Sequence, residues 1–225
     1  MLSYLKLKNI QMIVFDMAGT TIQENGIVYK TLFSTMKHFG LHVPMGDTHM
    51  WYGADKKEIL DHYLKSNNVF TEKIQTELHD KFFNNLKEQY FGSDNIQLIH
   101  KGLPELLTNI RQKDIKVTLN TGYNKDIQTN IIHKLHMNEY INDYVCSEDV
   151  LSGRPKPYMI YKLMERNNII NPSYVVKVGD SQKDIWEGLN AKCFYSLGVL
   201  TGEGTTDTLR SADMILNSVM DLDKK

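Results

Sequence analysis

The sequence predicts an α/β fold: a doubly wound parallel sheet interrupted, after its first strand, by an inserted all-helical segment. Three observations lead there. From Gly102 onward, short apolar runs alternate with helical patterns, as in a parallel sheet with crossover helices. One apolar run, Met12-Ile13-Val14-Phe15, stands far upstream of the others and stops at Asp16. Between them, from about Ile22 to His100, no convincing strand occurs and every apolar pattern is helical.

Taken in order, the first strand covers 12–15. In the insertion, Leu32, Met36 and Phe39 repeat at four and three. Ile59, Leu60, Tyr63 and Leu64 do likewise, as do Leu78, Phe82, Leu86 and Tyr90, so amphipathic helices are expected there. The second half then reads as helix 103–112, strand 115–120, helix 125–135, a strand near 144–146 and helix 157–166. Strand 174–178, helix 182–190, strand 193–197 and a weaker strand 214–216 complete it. Turn chemistry marks both junctions, Gly19-Thr20-Thr21 and His100-Lys101-Gly102. A core domain of residues 1–21 and 101–225, with a helical domain of residues 22–100, is therefore expected.

Composition narrows the class. The chain has 225 residues, with 26 Lys and Arg against 27 Asp and Glu, a formal net charge of −1 that argues against a basic nucleic-acid binder. Two cysteines, Cys146 and Cys193, make no disulfide framework and fit a reducing compartment. No apolar run is long enough to span a bilayer, and residues 1–8 lack the apolar core of a signal peptide. A cytoplasmic protein without membrane or nucleic-acid partners is the expectation.

Ligands of open α/β sheets bind beyond the carboxyl ends of the strands, so the terminating residues matter most. The first strand ends in Asp16, followed by Met17-Ala18-Gly19-Thr20-Thr21; the second ends in Asn120-Thr121-Gly122. Gly153-Arg154-Pro155-Lys156-Pro157 follows the third, and Gly179-Asp180-Ser181 ends the fourth, with Asp184 one helical turn later. Two acids at adjacent strand ends supply hard oxygens for Mg2+. A hydroxyl, an Arg and the N–H groups of a helix start suit phosphate oxygens. One acid could attack phosphorus once a metal screens the repulsion. Singly, each residue also fits a turn, a cap or a solvated surface charge. Together, in this order and all on strand ends, they point to phosphoryl chemistry.

These residues resemble the haloacid dehalogenase superfamily of phosphohydrolases, with a Rossmann-like core and a helical cap inserted after the first motif. Within it, Ala18 in place of the usual second Asp, and Arg154 in place of the usual Lys, resemble the phosphonatase branch. Thr121-Gly122-Tyr123 and the late Gly198-Val199-Leu200-Thr201-Gly202 are similar to that branch too. The resemblance implies Asp16 as a nucleophile that forms an aspartyl-phosphate. It implies Mg2+ on Asp16, the Ala18 carbonyl and Asp180, with Asp184 orienting from nearby. Thr121 and Arg154 would hold the phosphoryl oxygens, Gly122 and Tyr123 would contact substrate, and Lys156 would give support at most. A small phosphonate or phosphate ester is the implied substrate, and a homodimer through the cap is implied by the same likeness.

Ala18 matters for mechanism, because in ordinary family phosphatases the second Asp protonates the leaving alcohol. Phosphonatase avoids that need through a cap lysine that forms a Schiff base with the substrate aldehyde. Gly53 to Lys56 reproduces its Gly-x-x-Lys spacing, and Asp55-Lys56-Lys57-Glu58 reads as a capping box that opens a helix. The positive end of that helix favours a neutral amine, as burial would. Alternatively, Lys56 is a solvated charge or a cation that contacts phosphate. Two departures stand against the branch: Gly26 where phosphonatase has Cys, and Ile59 where it has His, with His62 one turn further along as a substitute. The implied reaction is hydrolysis of a 2-oxoalkyl phosphonate, with a phosphomonoesterase similar to phosphoglycolate phosphatase as the rival. A non-catalytic phosphate-binding protein is a third possibility.

The remaining signals are weaker. Met50, Trp51 and Tyr52 precede Lys56 and either line the substrate pocket, with Tyr52 as a contact, or pack between cap and core. Tyr123 reads equally as an exposed loop residue. The eight histidines, including the His38/His42 and His133/His136 pairs, are expected at the surface, and Trp186 and Leu189 in the core.

Overall fold

Six parallel strands in the order β5-β4-β1-β6-β7-β8 form the central sheet. The structure, a computed structural model, describes residues 9–44, 50–92 and 95–223. Residues 1–8, which carry the expectation about the N-terminus, and His49 lie outside the described residues. The strands are β1 Met12–Asp16, β4 Lys116–Thr121, β5 Asp143–Cys146, β6 Val175–Gly179, β7 Tyr195–Val199 and β8 Met214–Leu216. Crossover helices α4 Leu103–Arg111, α5 Lys125–Lys134, α6 Tyr158–Arg166 and α7 Gln182–Ala191 connect them.

β1 sits at the centre and is buried along its whole length. Because successive side chains of a strand point to opposite faces, it feeds two apolar layers. Ile13 and Phe15 pack with Leu103, Leu107, Ile127 and Ile131 of α4 and α5. Met12 and Val14 pack with Met159, Ile160, Leu163 and Ala191 of α6 and α7. Covered faces on both sides explain why these strands read as unbroken apolar runs.

The insertion contributes α1 Ile27–His38, α2 Lys56–Ser66 and α3 Glu72–Phe91. The repeating residues are their buried stripes: Leu32 and Met36, Ile59 and Tyr63, and Leu78, Phe82, Leu86 and Tyr90 are all essentially inaccessible. The Asp55 carboxylate accepts from Lys57 N at 2.7 Å and Glu58 N at 3.3 Å, so the Asp55 half of the expected capping box opens α2. Among the described residues, no helix is long and apolar enough to cross a membrane.

Two expectations need correction. The stretch 22–100 does contain strands: β2 Ile22–Gln23 and β3 Gln97–Leu98 pair antiparallel and bind the two crossings into the insertion together. A two-residue strand is too short to leave a periodic signal. Trp186 and Leu189 are not core residues; they are 39% and 43% exposed. The buried stripe of α7 is Asp184, Ile185, Glu187, Gly188 and Ala191, so the helix turns two carboxylates inward and its largest apolar side chains outward.

Candidate active site

The strand register assembles the site at the carboxyl edge of the sheet. Asp16, the last residue of β1, stands opposite Asn120 of β4, and Phe15 stands opposite Val178 of β6. Asp16, Thr121 and Asp180 therefore leave adjacent strands at one level. Beyond Asp16 the chain turns sharply, with Thr20, Thr21 and Ile22 N–H groups all on the Met17 carbonyl and the Thr21 hydroxyl on the Asp16 carbonyl at 2.9 Å. Gly19 makes this turn at φ 79°, and a Cβ there would lie 2.6 Å from Asp180 Oδ2. Only a glycine allows that loop so close to the second carboxylate.

Asp16, Ala18, Thr121, Gly122, Tyr123, Arg154 and Asp180 line one cavity of about 240 Å³ together with Tyr52 and Lys56 from the insertion. Asp184 is wholly buried behind it. Arg154 fills the floor: its guanidinium donates to Asp16 Oδ1 at 2.7 Å, to Asn120 Oδ1 at 2.6 Å and to Glu187 Oε2 at 3.2 Å, and lies 3.0 Å from Asp184 Oδ1. Burial alone would lower its pKa, but Asp184, Asp16 and Glu187 hold it above its ordinary value. Arg154 is thus no surface charge.

Asp16, Asp180 and Asp184 offer carboxylate oxygens that all lie within 4.8 Å of one another, each of them buried. Burial, then repulsion from Asp16 and Asp184, pushes the Asp180 carboxyl well above its usual range. Burial and Asp184 likewise raise Asp16 against the pull of Arg154 and Lys177. Such mutual repulsion among oxygen donors is what a small divalent cation relieves, and one or two carboxylates suit Mg2+. A Cβ on Gly202 would overlap the Asp180 carboxylate, so the backbone also leaves space around those oxygens. The donor set fits such an ion. Asp184 differs from the other two: Oδ1 is 2.8 Å from Lys177 Nζ and 3.0 Å from Arg154, and Oδ2 accepts from the Ser181 hydroxyl. These cations keep Asp184 below its ordinary range despite its burial.

The insertion closes the opposite side. Lys56 is 5% exposed, so it is not a solvated charge. Its Nζ donates to the Ala54 carbonyl at 2.7 Å, approaches Tyr29 Oη at 3.5 Å and lies 5.1 Å from the Tyr29 ring centroid. Burial lowers its pKa to about 8. The same Ala54 carbonyl approaches Gly122, where a Cβ would stand 2.5 Å from it, so Gly122 lets the insertion meet the core. Tyr123 is buried rather than exposed, and its hydroxyl bonds Tyr90 Oη at 2.9 Å. Tyr90 Oη in turn donates to Glu24 Oε2 at 2.9 Å.

Other sequence readings fare differently. Trp51 is buried and Met50 is 59% exposed, so of Met50, Trp51 and Tyr52 only Tyr52 lines the cavity. His62 is exposed and makes a tilted ring contact with Trp51, with centroids 4.9 Å apart, outside the cavity; it cannot replace the absent histidine at position 59. The surface expectation holds for His38, His42, His62, His100, His133 and His136, while His79 is half-buried and bonded to Asp61 Oδ1 at 2.8 Å. Lys156 does not line the cavity. The supporting cation is instead Lys177, wholly buried in β6 and 2.8 Å from Asn120 Oδ1. Sequence reasoning missed it, along with Glu187, Glu24, Tyr29 and Glu203. A charged residue inside Val175-Val176-Lys177-Val178, and an acid three residues past Asp184 on the same helix face, were the available signals.

Comparison with known proteins agrees with this geometry. A phosphonoacetaldehyde hydrolase of Bacteroides fragilis is 26% identical over 217 residues, covering 87% of this chain and 78% of that one. The solved structure of a phosphonoacetaldehyde hydrolase-like protein from Oleispira antarctica superposes with a TM-score of 0.79 at 21% identity, over 96% of this chain and 90% of its own. A β-phosphoglucomutase from Clostridium difficile gives 0.80 at 19% identity, over 96% and 94%; at that distance the likeness is one of fold. The model of the haloacid dehalogenase-like hydrolases matches residues 13–197, from β1 into β7. The chain belongs to the haloacid dehalogenase-like hydrolases, and is an enzyme of that family.

Proposed function

We propose that this hydrolase cleaves the C–P bond of a small 2-oxoalkyl phosphonate, with Asp16 as nucleophile and Lys56 as Schiff-base amine. One observation carries the reading: a buried lysine, its pKa lowered to about 8, opens into the same cavity as Asp16 and Arg154. Residues 22–100 act as a cap on a core of residues 1–21 and 101–225. The free thiols of Cys146 and Cys193 suit a reducing, cytoplasmic setting.

In this reading neutral Lys56 Nζ adds to the substrate carbonyl, and the carbinolamine takes up one proton from solvent and loses water to give an iminium. Thr121 and Arg154 orient the phosphoryl oxygens, with Gly122, Tyr123 and Tyr52 around the remainder. An Asp16 oxygen attacks phosphorus as the C–P bond breaks, and the bonding pair passes to carbon, where the iminium accepts it as an enamine. Water then hydrolyses the phosphoryl group from Asp16 as phosphate. The enamine gains a proton and is hydrolysed from Lys56 as the carbonyl product. Mg2+ held by Asp16, the Ala18 carbonyl and Asp180, with Asp184 holding the neighbouring cations in place, would screen the approach of carboxylate to phosphoryl group. Ala18 offers no acid to an alkoxide, and a carbon leaving group stabilised by an iminium needs none.

The test is reductive trapping. With phosphonoacetaldehyde and cyanoborohydride, a mass adduct should form on Lys56, and Asp16→Asn should abolish phosphate release without abolishing the adduct. Phosphate release from esters with no adduct on Lys56 would overturn the C–P reading and make the chain a phosphomonoesterase.

A further inference from the structure

One stretch of the cavity wall, supplied by neither the Asp16 nor the Arg154 strand end, has a chemistry that phosphoryl binding does not use. It is built from Gln23, Glu24, Asn25 and Gly26, on the crossing into the insertion, and from Glu203, in the loop after β7. Glu24 is 6% exposed and cannot swing away. Its carboxylate accepts from Gly26 N at 3.1 Å, Val28 N at 2.8 Å and Tyr90 Oη at 2.9 Å. Those bonds cap the start of α1, but they leave the negative charge in the cavity wall. Glu203 is an exposed residue whose backbone is fixed from the other side, its N–H donating to Asp180 Oδ2 at 2.8 Å. Its side chain reaches across to the crossing, where Oε1 lies 3.9 Å from the place a Cβ on Gly26 would take.

The cations near these two acids are already engaged: Lys30, which does not line the cavity, donates to the Asn25 carbonyl at 2.9 Å. Arg154 is already shared among Asp16, Asp184 and Glu187. Lys56 still carries its charge at pH 7 and is attracted by Glu24, but it is hydrogen-bonded to the Ala54 carbonyl and lies against the Tyr29 ring, one cation against two acids. A substrate whose phosphoryl group occupies the Asp16 end therefore presents its other end to two carboxylates. A second anion placed there meets like charge in a half-enclosed site.

We propose that Glu24 and Glu203 form an anion-excluding wall that restricts this hydrolase to substrates whose end distal to phosphorus carries no second anionic group. The inference rests on the Asp16 hydrolase reading but not on C–P cleavage. It deepens that reading by naming the substrate class: compact compounds with an uncharged tail, those ending in a carboxylate being rejected whichever bond is broken.

The test uses matched pairs with Mg2+ present: phosphonoacetaldehyde against 3-phosphonopyruvate, and ethyl phosphate against phosphoglycolate. Within whichever pair is hydrolysed, kcat/KM should favour the uncharged tail by about tenfold or more, the worth of one close like charge. Glu203→Gln and Glu24→Gln should each shrink that ratio about threefold, and added salt should act in the same direction. Calorimetry with ethylphosphonate and phosphonoacetate, which do not turn over, reads the same preference from binding alone. Equal or tighter binding of phosphonoacetate, or a ratio that neither variant moves, overturns the wall. Which pair is hydrolysed decides separately between the phosphonate and the ester readings.

Discussion

The Lys56 amine makes a quantitative prediction about pH. Its ammonium is out of water, with the Ala54 carbonyl at 2.7 Å and Tyr29 Oη at 3.5 Å as partners, and burial outweighs the attraction of Asp55, Asp16 and Glu24, so its pKa falls to about 8 from the ordinary 10.5. Only the neutral amine attacks a carbonyl. With a pKa near 8, the neutral fraction is about 9% at pH 7 and about 90% at pH 9, so the trapping rate should rise about tenfold and then level off. An unperturbed lysine would be only about 0.03% neutral at pH 7, and its rate would still be climbing at pH 9.5. The assay is the initial rate of Lys56 adduct formation with subsaturating phosphonoacetaldehyde and cyanoborohydride, read by intact mass from pH 6.5 to 9.5. A profile with its midpoint near 8 and a plateau above it is expected. A flat profile, or a log-linear climb without a plateau, would refute the argument that burial sets this amine.

Further outcomes follow from the buried charges. Because the folded pKa of Lys56 lies below its unfolded one, the native state binds fewer protons between about 8 and 10.5, and the full cost, about 3 kcal/mol, is present below that window. Lys56→Met should therefore melt higher than the parent at pH 7, with the gap closing toward pH 10.5, while losing the adduct; a lower melting temperature at pH 7 would contradict this. Lys177→Met strips Asp184 and Asn120 of a partner at 2.8 Å each and should cost about 3–5 kcal/mol, a fall of roughly 6–20 °C in Tm by thermal melt. Tyr90→Phe removes the hydroxyl that joins Glu24 to Tyr123 and should cost about 1–2 kcal/mol in urea unfolding. Arg154→Lys cannot span Asp16, Asn120 and Glu187 at once, so phosphate release should fall even where the variant remains folded.

What could be read from the sequence was whatever one residue or one period announces. A polar residue that stops an apolar run marks a strand end, and so Asp16, Thr121 and Asp180 were visible. Repeats at four and three marked the stripes of α1, α2 and α3. What stayed hidden depends on partners distant in the chain. Lys177 reads as a flaw in a strand until Asp184 and Asn120 are seen around it. Glu187 reads as helix surface until Arg154 is found beside it. Trp186 looked like core because size and apolarity suggest burial, whereas α7 turns Asp184 and Glu187 inward, against Arg154 and Lys177. Glu24 and Glu203 lie near opposite ends of the chain and meet only when the crossing and the β7 loop converge.

The central place of β1 has a consequence for how the chain is made. Its two sheet neighbours are β4 and β6, so the strand that carries Asp16 leaves the ribosome long before either partner exists. At about 5–20 residues per second, β4 follows only after roughly 5–20 s, and β6 later still. During that time the helices of the insertion can already pair with one another, while Met12-Ile13-Val14-Phe15 stays an unpaired apolar strand. Nascent chains stalled before residue 116 should thus bind a holdase chaperone through this segment and release it once β6 emerges.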